Sequence, residues 1–371
     1  MRNPRNTRNN WKWNIIGFFA EITLVFEKYP NEFLRRRMKQ KKVIIDRPGG
    51  VEALRIAEAD IPTPGKKEVR IRISTAGVAF ADIMMRSGKY PGRLRYPLTP
   101  GYDVCGSIDA CGEGVDSPEI GSKVVAFTRV GGYAQYVCTP SERAFKIPMD
   151  ISDGEAVCLV LNYLSAYQMM YRVAGIEKGG CALVHSAAGG VGTALLQLGK
   201  LIGLRMYGTA SKEKHHVVQI CGGIPIDYRA YDFEQVIREL EPGGVDAIFD
   251  PVAGSHWLRS MRVLSKGGIL VGYGVLSLFQ KGEFIGSYLN VAAQMIKLKL
   301  FHLKRHFAFY GIDVKRHPDW YREDLENIFS YYLKGLIRPV VACILPLSDV
   351  RTAHTLLERG KVAGKIVLDC S

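Results

Sequence analysis

The feature that most constrains this chain is a glycine-rich turn between two apolar segments. The turn, Ser186-Ala187-Ala188-Gly189-Gly190-Val191-Gly192, follows a strand pattern at residues 181–185 and precedes a helix pattern at residues 191–202. So tight a turn needs glycine for a phosphate to approach the backbone, and the helix N-terminus offers free N–H groups. A close-packed turn without ligand is the alternative. We predict that a dinucleotide pyrophosphate is bound by Ser186, Ala187, Gly189, Gly190, Val191 and Gly192.

The residues after the next strand indicate which dinucleotide is bound. An NAD site usually ends this strand with Asp or Glu, which binds the ribose 2′-hydroxyl. Here the strand is followed by Ser211, Lys212 and Lys214. A hydroxyl and two ammonium groups suit a 2′-phosphate, which carries about two negative charges. We therefore predict NADPH as the cofactor, and the alternative is that both lysines are ordinary solvated residues.

The order of strand and helix patterns predicts an α/β fold of two domains, because a chain of 371 residues is too long for one ordinary core. Residues 41–150 show short strands punctuated by Gly and Pro, as in a compact β-rich domain. Residues 154–174 predict a long helix. Strand and helix patterns then alternate up to residue 273, which is typical of a doubly wound parallel sheet. The tail, residues 319–369, is expected to return to the first domain.

Much of the positive charge lies at the N-terminus: the formal net charge is +14, and residues 1–42 hold 11 Lys or Arg and 3 Glu, a net of +8. The remainder shows no clustered basic face, so no nucleic-acid partner is expected. Apolar residues at helical spacing from Ile15 to Tyr29, followed by three arginines, are compatible with peripheral membrane contact or organellar targeting. The alternatives are that residues 1–40 form a basic, disordered extension, or that the true start of the chain is Met38.

The eight cysteines include no C-x-x-C pair, and most lie in apolar contexts. This usage is typical of reduced thiols, so we expect a cytoplasmic protein. It argues against a structural zinc cluster, which needs closely spaced thiolates. No apolar run in the sequence approaches the roughly 20 residues of a membrane span.

Six stretches occur in an order and spacing typical of one enzyme group. They are residues 77–91, 100–103, 161–167, 186–192, 226–228 and 250–252. On these stretches the chain, from Lys41 to its end, resembles the zinc-independent quinone oxidoreductases of the medium-chain dehydrogenase/reductase superfamily, the group of zeta-crystallin and the VAT-1 proteins. The resemblance implies a GroES-like domain of residues 41–162 and 311–371, and a Rossmann domain of residues 163–310. We also expect a homodimer.

Three positions separate the chain from the zinc alcohol dehydrogenases of that superfamily. Those enzymes hold a catalytic metal by Cys, His and Cys where this chain has Ala79, Tyr102 and Asn162. None of the three is a plausible zinc ligand, so no metal is expected. Without a Lewis acid a simple ketone is hard to polarise, whereas a quinone or enone spreads the incoming charge over a conjugated system. We therefore expect an electrophilic, conjugated carbonyl substrate that receives hydride from NADPH.

The resemblance also implies cofactor contacts outside the turn: near the nicotinamide, near the adenosine phosphate and along the other cofactor edge. Ser165 and Tyr167 are expected near the nicotinamide, Tyr228 near the adenosine phosphate, and Tyr273 and Gly274 along the other edge. Asn162 is also expected to bind the cofactor. Tyr90 is the candidate for contacting the substrate oxygen, because a tyrosine can donate a hydrogen bond or a proton to developing enolate charge. Its alternative role is a packed aromatic in a turn. Tyr90 and Tyr167 are thus the predicted catalytic residues.

Two departures from the group bear on function. Many relatives carry Asn where this chain has Ala79, so an amide is missing from the expected site. Residues 275–309 are longer than the minimal fold requires, and they are expected to roof the cleft or form a subunit interface, with lipid contact as the alternative. Two other functions stay open: an enoyl-thioester reductase, and a low-turnover NADPH-binding, membrane-associated protein like the VAT-1 proteins.

Overall fold

The structure, a computed structural model, describes residues 39–280, 284–301, 306–314 and 316–371. The chain divides into two compact units, Met1–Gln40 with Glu58–Ile61, and Lys41–Ala57 with Pro62–Ser371. Within the first unit, Lys39 Nζ lies 2.6 Å from a carboxylate oxygen of Asp60. The predicted N-terminal extension up to residue 38, with its alternative start, lies outside the described residues.

Strands dominate the first part of the described chain, and strands alternate with helices afterwards. The strands are β1 (Lys39–Ile45), β2 (Leu54–Asp60), β3 (Glu68–Val78), β4 (Asp103–Cys111), β5 (Lys123–Phe127), β6 (Tyr136–Pro140), β7 (Ala144–Lys146), β8 (Cys181–Val184), β9 (Arg205–Ala210), β10 (Gly223–Asp227), β11 (Val245–Asp250), β12 (Leu264–Gly272), β13 (His306–Phe309), β14 (Val341–Pro346) and β15 (Lys365–Asp369). The helices are α1 (Phe80–Arg86), α2 (Asp153–Cys158), α3 (Leu164–Tyr167), α4 (Gly190–Leu201), α5 (His215–Ile220), α6 (Phe233–Leu240), α7 (Ser255–Arg262), α8 (Ser277–Gln280), α9 (Phe284–Phe301), α10 (Pro318–Leu333) and α11 (Val350–Glu358).

A seven-stranded sheet combines strands from the N-terminal half with two strands from the tail. Its order is β14-β15-β3-β4-β5-β7, and β6 pairs with β3. In β3 the buried residues Val69, Ile71 and Ile73 alternate with Arg70 and Arg72, as expected for a strand that has one face in the core. The tail strand β15 runs antiparallel to β3, so the tail belongs to the same sheet as the strands of residues 68–146.

The second sheet confirms the predicted doubly wound architecture. Its order is β10-β9-β8-β11-β12-β13, and every pair in it is parallel. The order reverses between β8 and β11, and ligands of such sheets bind at the carboxyl ends of the strands at this switch point. The glycine-rich turn follows β8, so it lies at the expected ligand position.

The predicted long helix of residues 154–174 is interrupted. Its α-helical parts, α2 and α3, alternate with π-helical turns at Leu159–Tyr163 and Gln168–Ala174. The helix ends at Gly175, whose φ of +58° lies in the left-handed region that glycine favours at helix ends. Turns of the π type are frequent at functional sites, and the first one carries Asn162.

The tail contacts the nucleotide turn directly. Gly364 N–H donates to the Ala188 carbonyl at 2.8 Å, and Gly364 forms a parallel bridge with Gly189. In the next residue, Lys365 Nζ lies 2.7 Å from Oδ2 of Asp103, and both side chains are buried. Burial raises the pKa of Asp103 even though Lys365 lies beside it. The ion pair therefore joins the first residue of β15 to the first residue of β4.

Residues 275–309, predicted to form a roof or an interface, are described in part. They contain α8, α9 and β13, and β13 extends the parallel sheet by pairing with β12. Leu298 of α9 is buried in the core beside this sheet, whereas Leu289 and Ile296 are exposed. Residues 281–283 and 302–305 lie outside the described residues. In the described part of the chain, no helix is both long and apolar enough to span a membrane.

Removing the cation of the buried ion pair is expected to destabilise the fold. Lys365→Met leaves Asp103 buried without a counter-charge, and we expect the free energy of unfolding to fall by about 3–5 kcal/mol. The measurement is chemical denaturation at neutral pH. The matched control is the double variant Asp103→Leu/Lys365→Met, which should recover a large part of the loss. A loss in the double variant as large as in the single one would contradict this account.

Candidate active site

The glycine-rich turn presents a helix N-terminus at the switch point of the parallel sheet. β8 ends at Val184, and α4 begins at Gly190 with Gly189 as its N-cap. Ser186 is exposed and has a φ of +55°, which bends the chain sharply after the strand. The first N–H groups of α4 have no acceptor within the helix, so they can bind an anion.

Two glycines of the turn are required by contacts within the protein itself. A Cβ at Gly190 would lie 2.2 Å from Nδ2 of Asn162, and a Cβ at Gly192 would lie 2.5 Å from the carbonyl oxygen of Ser186. Close packing within the protein therefore explains why these two positions are glycine. This is the role that the alternative interpretation assigns to the turn. At Gly189 the nearest atom to a Cβ would be the Ser186 oxygen, at 3.2 Å.

Two further residues of the turn, Ala187 and Val191, differ in their surroundings. Ala187 is buried, and its N–H donates to the Thr209 carbonyl at 3.0 Å. Its backbone donor is therefore already used by the protein. Val191 is partly buried in the first turn of α4, where its N–H belongs to the helix N-terminus. Of the predicted pyrophosphate ligands, Gly190, Val191 and Gly192 thus carry the N–H groups of the first helical turn.

The predicted 2′-phosphate residues lie together just beyond β9. Ser211 is buried and precedes a 3₁₀ turn formed by Lys212–Lys214. Lys212 is exposed, and Lys214 Nζ donates to the Gly360 carbonyl at 2.6 Å. The Ser211 hydroxyl is hydrogen-bonded to Glu213, which lowers the pKa of that carboxyl group. The predicted hydroxyl is therefore engaged within the protein.

Sequence reasoning missed Arg229 in this cluster. Its guanidinium lies 5.7 Å from the ring centroid of Tyr228 and 3.4 Å from a carboxylate oxygen of Glu213. Burial and then the charge of Arg229 lower the pKa of Lys214. Arg229 directly follows Tyr228, which was predicted to contact the cofactor. A search of the sequence for basic residues just after β10 would therefore have found it. Tyr228 itself is 55% exposed, which leaves its ring open to a ligand.

Tyr90 belongs to a pair of tyrosines. The Tyr102 hydroxyl donates to the Tyr90 hydroxyl at 2.5 Å, and the guanidinium of Arg129 lies 5.7 Å from the Tyr90 ring centroid. Burial and then the hydrogen bond with Tyr90 raise the pKa of Tyr102, so its hydroxyl keeps its proton at neutral pH. Among the described residues, Tyr102 is the one hydrogen-bond partner of the Tyr90 hydroxyl, so the proton of Tyr90 is available to another oxygen.

The interrupted helix carries Asn162, Ser165 and Tyr167, all of them buried. Ser165 is hydrogen-bonded to Tyr310, a residue after β13 that sequence reasoning missed. The ring of Tyr167 lies 4.4 Å from that of Tyr171, and burial raises the pKa of Tyr167 to about 12. Among the described residues, Tyr167 shares neither a hydrogen bond nor a ring contact with Tyr90. The two predicted catalytic tyrosines are therefore not brought into direct contact.

Tyr273 and Gly274 follow β12 and lie against the loop after β11. The Tyr273 N–H donates to the Asp250 carbonyl at 3.2 Å, and burial raises the pKa of the Tyr273 hydroxyl. A Cβ at Gly274 would lie 2.7 Å from the Pro251 oxygen. Both predicted residues are partly buried at the carboxyl edge of the sheet.

A polar cluster at the same edge was not anticipated. In the described part of the chain, one group of His, Cys, Asp or Glu side chains has ligand atoms close enough for a metal ion: His185, Asp250 and His256. These atoms are already hydrogen-bonded. His256 Nδ1 lies 2.7 Å from Asp250 Oδ2, to which Ser260 also donates at 2.9 Å. The cluster therefore connects α7 to the end of β11.

The charge states of this cluster follow from its burial. Burial lowers the pKa of His185 to about 3, so this imidazole is neutral at physiological pH. Burial alone would raise the pKa of Asp250, but the hydrogen bond from His256 and the nearby imidazoles outweigh it and lower that pKa. The carboxylate of Asp250 thus lies between the neutral imidazole of His185 and the imidazole of His256, which is hydrogen-bonded to it.

Replacement of His185 is expected to change how stability depends on pH. The folded pKa of about 3 lies below the value of about 6.5 in the unfolded chain, so the unfolded state takes up a proton and stability is lost as the pH falls below about 6.5. Between pH 7 and pH 5, His185→Gln should lose about 2 kcal/mol less than the original protein. Urea denaturation at both pH values measures this. The control is the exposed His216→Gln, and an unchanged slope in His185→Gln would refute the assignment.

Two family models match the chain. The alcohol dehydrogenase GroES-like domain matches residues 65–149, and the zinc-binding dehydrogenase model matches residues 223–368. The chain is 31% identical over 343 residues to the human synaptic vesicle membrane protein VAT-1 homolog-like, covering 89% of this chain and 81% of that protein. The crystal structure of the human VAT-1 homolog-like protein superposes with a TM-score of 0.77, at 30% identity, covering 90% of this chain and 98% of that one.

Two further proteins widen the comparison. A mycobacterial structure complexed with NADPH has a TM-score of 0.77 and 28% identity, covering 89% of this chain and 99% of that one. A phenolphthiocerol/phthiocerol polyketide synthase subunit of Mycobacterium tuberculosis is 30% identical over 331 residues, covering 87% of this chain and 14% of that protein. These similarities extend over both sheets and the nucleotide turn. The chain belongs to the medium-chain dehydrogenase/reductase superfamily of oxidoreductases, in the group of zeta-crystallin and the VAT-1 proteins.

Proposed function

We propose that this chain is an NADPH-dependent reductase that transfers hydride to a quinone or an α,β-unsaturated carbonyl without a catalytic metal. The observation that carries the proposal is the pairing of a helix N-terminus with a cation cluster at the tip of β9. NADPH, when bound, supplies the hydride. The similarity to a mycobacterial protein that was crystallised with NADPH supports this choice of cofactor.

The cation cluster favours a phosphorylated ribose. Three cations, Lys212, Lys214 and Arg229, lie near two carboxylates, Glu213 and Asp227, so the cluster keeps a net positive charge. Burial and then the charge of Arg229 lower the pKa of Lys214, so the two cations repel each other. A dianionic phosphate relieves this repulsion and accepts charge-assisted hydrogen bonds from both side chains. An unphosphorylated ribose offers no such gain.

The residues at the metal-ligand positions favour chemistry without zinc. Tyr102 donates its hydroxyl proton to Tyr90, Asn162 packs against Gly190, and Ala79 offers no side-chain donor. Zinc prefers thiolate, imidazole or carboxylate ligands, so the donor set does not suit it. The proposal therefore includes no catalytic zinc, although the matching family model is named for zinc binding. A substrate that delocalises the incoming charge is the class that such a site can reduce.

Tyr90 is placed to assist charge development on the substrate oxygen. Since Tyr102 donates to Tyr90, the proton of Tyr90 can be donated to another acceptor, and a substrate carbonyl can fill that role. The nearby guanidinium of Arg129 adds a positive charge beside the Tyr90 ring, which favours a developing oxyanion. In this arrangement Tyr90 donates a hydrogen bond to the substrate oxygen, and the hydrogen bond from Tyr102 to Tyr90 strengthens it.

An enoyl-thioester reductase is the second candidate. The match to a segment of a polyketide synthase subunit favours it, and the same hydride transfer to a conjugated carbonyl serves both candidates. Association with a membrane, a cytoplasmic location and a homodimer stay predictions. The chain shares its family with proteins named for synaptic vesicle membranes, and the N-terminal residues that motivated membrane contact lie outside the described residues.

The choice of cofactor is tested by reversing one charge in the cluster. We expect Lys214→Glu to raise the Kd of NADPH at least about tenfold, because it places a carboxylate beside the 2′-phosphate, and to change the Kd of NADH little. Nicotinamide fluorescence measures both constants. Lys266→Glu, the same charge change at an exposed position of β12, serves as the control. Equal weakening of NADPH and NADH would remove the reason for preferring NADPH.

The role of Tyr90 is tested by removing its hydroxyl. Tyr90→Phe should lower kcat with a conjugated substrate by about a hundredfold, because the hydrogen bond to the oxyanion is lost, while the Kd of NADPH stays the same. Loss of nicotinamide absorbance with a panel of quinones, enones and enoyl thioesters gives the rates. The exposed Tyr231→Phe is the control. Full kcat in Tyr90→Phe would exclude this role, and no turnover of any substrate by the original protein would exclude the proposed function.

A further inference from the structure

A cavity of about 400 Å³ opens beside Tyr90. Its size falls in the range of small-molecule sites. It is lined by Pro48, Gly88, Tyr90, Gly92, Arg93, Leu94, Arg95 and Tyr96. Tyr90 is therefore common to this cavity and to the tyrosine pair of the candidate active site, so a molecule that contacts the Tyr90 hydroxyl can extend into the cavity.

The segment of the cavity wall from residue 89 to residue 96 is hydrogen-bonded to the protein at both of its ends. The Lys89 N–H donates to the Met84 carbonyl at 2.8 Å, and the Tyr96 hydroxyl donates to the Met85 carbonyl at 2.6 Å. Both ends of the segment are thus anchored on α1. The arginines between them project from a fixed stretch of backbone.

The segment that forms this wall carries basic side chains and no acidic ones. From residue 87 to residue 102 the chain contains Lys89, Arg93 and Arg95 but no Asp or Glu. Arg93 and Arg95 are exposed, and among the described residues neither forms an ion pair. Other arginines of the fold do have a carboxylate partner: Arg55 lies 3.0 Å from Asp46 and Arg70 lies 2.8 Å from Asp109.

Unpaired guanidinium groups at a cavity suit a planar or tetrahedral anion. Arginine presents several N–H donors in a fork that matches carboxylate and phosphate oxygens. The apolar parts of Pro48 and Leu94 lie beside them in the same wall, so the cavity suits a chain that ends in a charged group. Arg129, beside Tyr90, adds to the positive potential at the other end.

We infer that the substrate reduced here carries an anionic group, a carboxylate or a phosphate monoester, which Arg93 and Arg95 bind while the conjugated carbonyl lies at Tyr90. The inference rests on the proposed reductase function and narrows its substrate class. Two sources supply such a group: the phosphate of a phosphopantetheine thioester and the carboxylate of an acidic side chain on a quinone. The test separates them.

Matched substrate pairs isolate the anionic group. The first pair is crotonyl-4′-phosphopantetheine and crotonyl-pantetheine, which differ by one phosphate; the second is a naphthoquinone bearing a propionate and its propionamide. The full-length protein, saturated with NADPH, is compared with Arg93→Gln/Arg95→Gln. The control Arg322→Gln/Lys334→Gln removes two exposed cations of α10 and its end.

We expect the arginine variant to raise KM for the anionic member of one pair about tenfold, with kcat and the neutral member unchanged. Added salt should raise the same KM in the original protein, because exposed charges are screened. The pair that responds identifies the source of the anion. A loss of folding would affect both members of a pair, so the neutral substrate separates it from a lost anion contact.

Equal KM values for both members of each pair, in the original protein and in the variant, would overturn the inference while leaving the proposed function intact. If no substrate is reduced, the proposed function fails, and the anion site is decided by calorimetric titration with 4′-phosphopantetheine and pantetheine. Tighter binding of the phosphate form, lost in Arg93→Gln/Arg95→Gln, supports the site. Equal binding of the two compounds overturns it.

Discussion

Asn162 and Gly190 approach each other so closely that no side chain fits at residue 190. Asn162 belongs to a π-helical turn of the interrupted helix, and Gly190 begins α4, so this contact sets the N-terminus of α4 against the helix that carries Ser165 and Tyr167. The backbone contacts of Gly364 with Ala188 and Gly189 add the tail on the other side. The turn is thereby held by contacts with the interrupted helix and with the tail, as a preorganised site requires.

The architecture could be predicted from the sequence because periodicity reports it directly. The alternation of strand and helix patterns after residue 181 corresponds to the parallel sheet, and the turn after β8 lies at its switch point. The interruption of the helix at residues 154–174 could not be predicted. Apolar residues occupy nearly all faces of this helix, so its sequence has no strong helical periodicity. The change of period that would mark a π-helical turn therefore could not be recognised.

The site was less accessible to prediction because it depends on contacts between distant residues. Arg229 joins Lys214 only through the pairing of β9 with β10, and His185, Asp250 and His256 meet only where β8 and β11 lie side by side. The reason for glycine in the turn was also only partly foreseen: contacts with the protein itself determine Gly190 and Gly192. Tyr90 and Tyr167 were singled out for one reaction, yet only Tyr90 is paired with a second hydroxyl.

The hydrogen bond from Lys214 to the Gly360 carbonyl ties the cation cluster to the loop before β15. A phosphate that binds Lys214 must either share this ammonium group with the carbonyl or take it over. In both cases the conformation of the tail and the affinity for the phosphate depend on each other, by thermodynamic reciprocity. If the cation cluster binds the coenzyme as proposed, the loop at Gly360 is expected to respond to coenzyme loading, although it lies far along the sequence from the glycine-rich turn.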